Sequence, residues 1–201
     1  MARKREFDRQ DVVERAMLLF WQQGYEATSI RELKDAMGIS SSSMYEVFGD
    51  KRGVFLAALA YFCQIERARI MDMAAQAATP QQFIVELFYS VENIVQTPSH
   101  TYSGSLVFNT MVEFGMRDAD ITSLMLAHYL DIAEIIADVL AQAQIAGTIT
   151  SQDAPLHLSH TILTTLQGVA TLKGIKPDFA YVDAITTSIL RLGSLGGCGF
   201  L

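Results

Sequence analysis

Apolar residues recur every three to four positions along most of this chain, which is the spacing that lines one face of an α-helix. The clearest example is formed by Ile30, Leu33 and Met37. A second short apolar face follows after a break of a few residues. The pattern predicts two short helices, at residues 29–37 and 41–47, joined by a tight turn.

Polar residues and a glycine mark the ends of these two helices. Ser29 followed three residues later by Glu32 is the capping-box pattern of a helix start. Gly38 can adopt the left-handed conformation that ends a helix, and Ser40 is a good N-cap for the second helix. Met44 then faces the first helix. Together these features predict a helix-turn-helix.

The same spacing continues along the chain and predicts about nine helices. They are placed at residues 9–23, 29–37, 41–47, 51–77, 80–96, 103–114, from Asp118 or Asp120 to 146, 152–173 and 177–192. Proline and glycine mark most of the breaks, because both disfavour continuation of a helix. No alternation of period two persists anywhere, so the predicted fold class is all-α.

The outward face of the second short helix carries small or hydrogen-bonding residues. These are Ser41, Ser42, Ser43, Tyr45 and Glu46. Serine hydroxyls and a carboxylate can form hydrogen bonds with base edges, and the N-terminal part of a recognition helix is where such contacts are made. An ordinary helical hairpin without DNA contacts would show the same two apolar faces. The outward face therefore favours, but does not by itself establish, DNA binding.

The residues that flank this helix pair extend the pattern. Before it lies an amphipathic helix with Ala16 and Phe20 inward, ended by Gly24-Tyr25, and after it comes the pair Asp50-Lys51. With the Thr28-Ser29 cap, the Gly38-Ile39-Ser40 turn and Met44-Tyr45, these pieces resemble the N-terminal DNA-binding domain of the TetR (tetracycline repressor) family of bacterial transcription regulators. The resemblance covers about the first quarter of the chain.

The resemblance implies a division of the chain and a function. Residues 1–50 would form a three-helix DNA-binding domain, and residues 51–201 would form a helical domain for effector binding and dimerisation. Thr28, Ser29, Tyr45 and Lys51 match positions at which the family contacts phosphates. The implied function is a homodimeric regulator, a repressor rather than an activator, that a small molecule releases from a palindromic operator. This chain departs from the common pattern because its recognition helix contains no lysine or arginine.

The charge of the chain, −7 with a pI of about 5.0, is unusual for a DNA-binding protein. Residues 1–56 are neutral, with nine basic and nine acidic side chains, so the remainder carries the whole negative charge. The densest basic run is Arg3-Lys4-Arg5. A short basic arm of this kind can meet phosphates or enter a minor groove, although it could also be only a solvated terminus.

Two further sets of residues follow from the resemblance. An effector pocket is expected in the second domain; its candidate lining residues, chosen because aromatic and methionine side chains suit an apolar or aromatic effector, are Phe62, Phe88, Phe108, Met111, Met125 and Tyr129. A homodimer through helices 8 and 9 is also expected; its candidate contacts are Thr161, Thr165, Gly168, Val182, Ile185 and Ile189. Core packing alone would explain either set.

A few isolated residues suggest alternative functions. Asp153, His157 and His160 have helical spacing and could form a metal stripe, and Cys63 could act as a redox switch if its thiol were exposed and acidic. A ligand-carrying or hydrolase-like helical bundle is the alternative without DNA. No catalytic motif is present, so we expect neither an enzyme nor a cofactor or metal. With no membrane segment or signal peptide recognised, a cytoplasmic location is expected.

Overall fold

The computed structural model of the protein describes residues 7–93, 96–97, 100–101, 105–175 and 182–194. The described helices are α1 (Arg9–Gln23), α2 (Ile30–Met37), α3 (Ser41–Phe48), α4 (Lys51–Gln76), α5 (Pro80–Asn93), α6 (Leu106–Phe114), α7 (Ala119–Ile145), α8 (Pro155–Ile175) and α9 (Val182–Ser194). Two strands of two residues each, β1 (Gln96–Thr97) and β2 (His100–Thr101), pair antiparallel. The prediction of an all-α fold is confirmed. Among the described residues, no helix combines the length and apolar character needed to cross a membrane.

The chain divides into two compact units. Unit 1 comprises residues 1–66 and 105–125, and unit 2 comprises residues 67–104 and 126–201. The helices α4 and α7 each contribute residues to both units. This division describes packing, whereas the boundary near residue 50 is a functional one that stays a prediction.

Unit 1 is built around an aromatic core. Phe20 and Phe55 are fully buried, and their ring centroids lie 4.8 Å apart in an edge-to-face arrangement. Tyr25 and Phe114 extend the cluster, since Tyr25 lies 4.9 Å from Phe55 and 5.1 Å from Phe114. Aromatic pairs at these separations add stabilisation beyond the area they bury. The cluster thereby joins α1, α4 and α6 through residues distant in sequence.

Unit 2 has a separate, mainly aliphatic core. Its fully buried side chains include Phe83, Leu87 and Phe88 on α5 and Ile136 on α7. The helix α9 packs on α5, and the Tyr89 hydroxyl donates a hydrogen bond to Asp183 at the start of α9. This hydrogen bond and the buried stripe on α5 position α9 against the rest of the unit.

The start of α8 differs from the prediction. The helix begins at Pro155 rather than at residue 152. Proline favours the first helical position, because its fixed φ suits a helix and its missing N–H would have no partner there. In the turn that precedes the helix, the Ser151 hydroxyl donates a hydrogen bond to the Asp153 carboxylate at 3.1 Å. Asp153 is therefore outside α8, so Asp153, His157 and His160 do not have the shared helical spacing on which the metal-stripe alternative depended.

Candidate nucleic-acid interface

The helix α2 is held at both ends by the residues that the sequence singled out. The Ser29 hydroxyl accepts from the Glu32 N–H at 3.2 Å, and the Glu32 carboxylate accepts from the Ser29 N–H at 2.9 Å. This reciprocal pair is a capping box, as predicted. At the other end Gly38 has a φ of +68°, which is favourable for glycine but strained for other residues. The turn into α3 is therefore fixed by local sequence.

The helix α3 buries one side and exposes the other. Met44 is fully buried against the unit 1 core, and Phe48 is partly buried. On the opposite side Ser41, Ser42 and Glu46 are exposed, and Tyr45 is 50% exposed. The predicted face for base contacts is thus presented outward on a helix whose inner side is anchored.

The serines at the start of α3 do not all play the same role. The Ser40 hydroxyl accepts from the Ser43 N–H at 3.1 Å and so caps the helix. It also lies 2.9 Å from the Ser42 hydroxyl and 3.0 Å from the Ser43 hydroxyl. Ser40, Ser42 and Ser43 thus form a local hydroxyl cluster. Of the four serines, Ser41 is the one for which no such contact is seen among the described residues.

Thr28 lies differently from the other predicted phosphate contacts. It is only 1% exposed, and its hydroxyl donates to the Gly24 carbonyl at 2.6 Å. The Gln23 amide donates to the same hydroxyl at 3.2 Å. Its side chain therefore braces the turn between α1 and α2 in this conformation. Its role as a DNA contact stays a prediction, whereas Ser29 next to it is exposed.

Two cation–ring contacts lie at the edges of this face. The Lys51 ammonium is 4.3 Å from the centroid of the Tyr25 ring, and the Arg9 guanidinium is 5.4 Å from the centroid of the Phe48 ring. Such contacts hold a cation in place without neutralising its positive charge. The second one also places the start of α1 beside the end of α3. The predicted arm residues Arg3, Lys4 and Arg5 lie outside the described residues.

The junction between α3 and α4 contains a glycine that sequence reasoning missed. A Cβ added to Gly53 would lie 1.9 Å from the Phe48 carbonyl oxygen, so a larger residue does not fit without a shift of the backbone. The Asp50 carboxylate accepts from the Gly53 N–H at 2.7 Å and so caps the start of α4. Glycine within a predicted helix is the feature that could have identified this close approach.

Helix α6 is tied to the turn between α1 and α2 by one carboxylate. The Glu113 side chain accepts hydrogen bonds from the backbone N–H groups of Tyr25 and Glu26, at 3.0 and 2.7 Å. No sequence pattern predicts these contacts, because 87 or 88 residues separate the partners. Helix α6 therefore helps to hold the helix-turn-helix in place.

A second tie to the start of α7 is ionic. The Arg52 guanidinium donates to both Asp118 oxygens, at 2.7 and 2.9 Å, and to Asp120 at 2.6 Å. The Arg52 hydrogen bonds, together with the Ile121 N–H, lower the pKa of Asp118 to about 2. Carboxylates that accept several hydrogen bonds favour their charged form. The pair therefore fixes the start of α4 against the start of α7 within unit 1.

The predicted pocket residues are distributed over both units. Phe62 and Met125 are buried in the core of unit 1, Phe88 is buried in the core of unit 2, and Phe108 and Met111 are partly buried in unit 1. The Tyr129 hydroxyl lies 3.0 Å from His160 Nδ1, and their rings stack. Their role in effector binding stays a prediction.

Each unit has an open cleft lined by other residues. The cleft in unit 1 has a volume of about 540 Å³ and lies between the start of α1, at Arg9 and Gln10, and Tyr61 on α4. The cleft in unit 2, about 270 Å³, lies between the end of α4, the start of α5 and the end of α7. None of the predicted pocket residues lines either cleft.

The predicted dimer contacts differ in exposure. Thr161 and Gly168 on α8 are exposed, and Thr165 is partly buried. A Cβ added to Gly168 would have no atom within 4 Å in its own chain, so this part of α8 offers a surface for close approach. Val182 is only 2% exposed because it packs in the core of unit 2, and Ile185 and Ile189 pack against that core. The exposed candidates are thus on α8.

The described residues do not support the redox-sensing and metal-sensing alternatives. Burial, followed by the charge of Glu66, raises the pKa of the Cys63 thiol to about 12. A reactive cysteine needs the opposite shift and solvent access. Among the described residues, no group of three or more histidine, cysteine or acidic side chains is arranged to hold a metal ion.

The architecture of unit 1, with a capped helix pair that exposes a polar second helix, is that of a helix-turn-helix domain, the class of fold that presents its second helix to a DNA major groove. Comparison with known proteins agrees. The family model "Bacterial regulatory proteins, tetR family" matches residues 12–58. The chain belongs to the TetR family of transcriptional regulators. The alternative of a non-DNA-binding helical bundle is not favoured.

Similar proteins and structures extend the match beyond the DNA-binding helices. The chain is 26% identical over 169 residues to the HTH-type transcriptional repressor ComR of Escherichia coli, covering 84% of this chain and 80% of ComR. It is 24% identical to the uncharacterised HTH-type regulator YezE of Bacillus subtilis, over 78% of this chain and 80% of YezE. A structure of the TetR family regulator CifR complexed with 26 bp operator DNA aligns with a TM-score of 0.81 and 24% identity, over 94% of this chain and 98% of CifR.

Proposed function

We propose that this protein is a homodimeric, cytoplasmic repressor that binds a palindromic operator and is released from it by a small-molecule effector. The observation that carries the proposal is the exposed face of α3, with Ser41, Ser42, Tyr45 and Glu46 outward on a helix that Met44 anchors. Support for repression comes from ComR, which is described as a repressor. No enzymatic step is part of this proposal.

The proposed DNA contacts fall into two groups. Ser41, Ser42, Ser43 and Glu46 would meet base edges in the major groove, where a helix fits and each base pair has a distinct pattern of donors and acceptors. A second group would meet phosphates and set the register of the protein on the duplex; it comprises Thr28, Ser29, Ser40, Tyr45, Lys51 and the basic arm Arg3, Lys4 and Arg5. Since α3 has no cation, affinity would depend strongly on Lys51, the arm and dimerisation.

The second half of the proposed function is control by a ligand. Residues 51–201 would bind an apolar or aromatic effector and form the dimer, while residues 1–50 would contact DNA. A dimer fits two half-sites only when its recognition helices are about 34 Å apart, one turn of B-DNA. An effector that binds a differently spaced dimer more tightly would shift the population away from DNA.

The test is selection of bound sequences from a random duplex pool, repeated across a series of salt concentrations. We expect an enriched palindrome whose affinity falls as salt rises, because phosphate contacts release counterions. Tyr45→Ala should weaken binding to that palindrome by about tenfold or more while the protein stays folded. Met116→Ala is the control, since Met116 is a 92% exposed apolar side chain on a turn of the same unit.

Each result of the selection has a defined meaning. Equal binding by wild type, Tyr45→Ala and Met116→Ala would contradict the proposed interface. If wild type enriches nothing even at low salt, the protein is unfolded, freed of small molecules, refolded and tested again. Enrichment after refolding would indicate a protein purified with its effector, and continued absence of enrichment would overturn the proposal.

A further inference from the structure

Glu46 has an unusual position for an acidic residue. It is exposed on α3 one helical turn after Ser42, on the side opposite the buried Met44. Residues four apart on a helix lie on the same face. Glu46 therefore belongs to the outward surface that would enter the major groove, at the end of that surface nearer the C-terminus of α3.

The Glu46 carboxylate is not engaged by the protein itself. It forms no hydrogen bond or ion pair with any other described residue, in contrast to Glu32, which completes the α2 cap, and Glu113, which holds the turn after α1. Neither a lysine nor an arginine occurs on α3 to offset its charge. A structural role within the subunit thus does not account for it.

A carboxylate at a DNA surface is repelled by phosphates unless it finds a hydrogen-bond donor. In the major groove the donors are the N4 amino group of cytosine and the N6 amino group of adenine. In adenine the acceptor N7 lies beside N6 and repels a carboxylate, whereas in cytosine the atom beside the amino group is a carbon. Guanine and thymine present only acceptors, or an acceptor and a methyl group, on that edge.

We propose that Glu46 is a specificity-determining residue that selects a cytosine in each operator half-site through the N4 amino group and rejects the other bases at that position. The proposal rests on the proposed function and adds the chemistry of one base contact to it. The attraction to cytosine and the repulsion from acceptor atoms act together, so the discrimination exceeds what a neutral side chain would give.

The experiment compares sequence selections by the full-length wild type, Glu46→Ala and Glu46→Gln. Duplexes with the wild-type palindrome are then made with the candidate cytosine replaced by each other base in both half-sites. Asp35→Ala is the matched control, since Asp35 is an exposed acidic residue on α2 of the same unit and its removal changes the net charge equally.

We expect wild type to lose about 5- to 150-fold in affinity per altered half-site, the usual cost of one mismatched base pair in a specific site. Glu46→Ala should lose the preference at that position and bind random duplexes more tightly, whereas Asp35→Ala should keep the wild-type preference. Glu46→Gln should shift the preference towards adenine, with which an amide pairs through N6 and N7.

Two results would overturn the proposal. The first is an enriched wild-type palindrome that Glu46→Ala also selects unchanged. The second is equal loss by wild type and Glu46→Ala when the cytosine is replaced, which shows that Glu46 and this base are not coupled. Absence of any palindrome with refolded, ligand-free wild type would instead overturn the proposed function, and this inference with it.

Discussion

Cys63 shows how the setting of one residue decides between inert and reactive chemistry. Cys63 is only 9% exposed in the core of unit 1, and burial raises the pKa of its thiol to about 12. The thiolate is the nucleophile, and at pH 8 only about one molecule in ten thousand would carry it. A redox switch at this residue is therefore not supported, although its position on α4 made it a candidate.

The unreactive state of Cys63 can be measured directly. We expect iodoacetamide at pH 8 to modify Cys63 at least about a hundredfold more slowly in the folded protein than in urea, because burial both blocks access and suppresses the thiolate. Peptide mass spectrometry follows Cys63 separately from Cys198. The unfolded chain is the internal control, and rapid modification of Cys63 in the folded protein would restore the redox-sensing alternative.

The ion pair between Arg52 and Asp118 predicts a pH dependence. A carboxyl whose pKa is lower in the folded state stabilises the protein above its unfolded pKa and loses that contribution as the pH falls through the folded pKa. With the pKa of Asp118 at about 2, its contribution to stability should be lost between about pH 4 and pH 2. Asp118→Asn should lower the free energy of unfolding at neutral pH and flatten this part of the profile.

Urea unfolding at a series of pH values tests the role of Asp118. Asp120→Asn is the matched control, because Asp120 pairs with the same Arg52 but its side chain is 72% exposed, against 19% for Asp118. Solvent screens an exposed pair, so the control should change the profile less. Equal profiles for wild type and Asp118→Asn would show that the pair contributes nothing to stability.

At the scale of elements, the parts of the fold that local sequence determines were predicted well. Ser29, Glu32 and Gly38 fix the ends of α2 through contacts within a few residues, and the sequence displays all three. The first eight helices were placed within three residues of their observed bounds, and the predicted start of the ninth, at residue 177, lies outside the described residues. The start of α8 was misplaced because Asp153 and Gln152 are acceptable helix-starting residues, whereas Pro155 and the Ser151 turn determined the real start.

Contacts between distant elements were not predictable from the sequence. Glu113 shows no pattern that connects it with the turn after α1, yet it accepts two backbone hydrogen bonds there. Its hydrogen-bond partners, the N–H groups of Tyr25 and Glu26, can be identified only from the folded structure, in which Phe114 packs α6 against Tyr25 and Phe55. The candidate site was therefore predicted at its surface, in α3, but not in the α6 contacts that support it.

Removing the Glu113 contacts should destabilise the protein. We expect Glu113→Ala to lower the free energy of unfolding by about 1–2 kcal/mol, because two backbone N–H groups lose a charged acceptor while partial exposure lets water replace it in part. Chemical denaturation measures the change. Val112→Ala is the control, because Val112 lies next to Glu113 in the sequence and is 86% exposed. This substitution should change the free energy of unfolding by less than about 0.5 kcal/mol. Similar effects of both substitutions would contradict a specific role for Glu113.

The exposed part of α8 leads to a prediction about assembly. Thr161 is exposed, and its hydroxyl donates a hydrogen bond to the His157 carbonyl of its own helix. If this face pairs with a second subunit, Thr161→Asp places an unpaired charge in the interface and should weaken the dimer by at least about tenfold. Analytical ultracentrifugation measures the dimer affinity.

The control for this substitution is Ser123→Asp, which adds the same charge at an exposed residue of α7. It should leave the dimer unchanged. A Thr161→Asp protein that dimerises like wild type would place the interface elsewhere, and a loss of dimer in both variants would point to a general effect of charge.

At the scale of the whole molecule, the distribution of charge limits how DNA can be bound. The chain carries −7 in total, and residues 57–201 account for all of it. Such an excess repels phosphates in general, which reduces binding to unrelated DNA. Specific binding must then rely on the few cations among the first 56 residues. Lys51 is one of them, and its ammonium is held 4.3 Å from the Tyr25 ring centroid at the edge of the α3 face.

Lys51→Ala should therefore alter the salt dependence of binding and leave the preferred sequence unchanged. Each phosphate contact contributes about one unit to the slope of log affinity against log salt concentration, so a dimer that loses both lysines should have a slope shallower by about two. Arg117→Ala removes the same charge from an exposed residue between α6 and α7 and should keep the wild-type slope. A common slope for all three proteins would contradict a phosphate contact by Lys51. An equal reduction in both variants would mean that net charge, rather than the position of Lys51 beside α3, controls affinity.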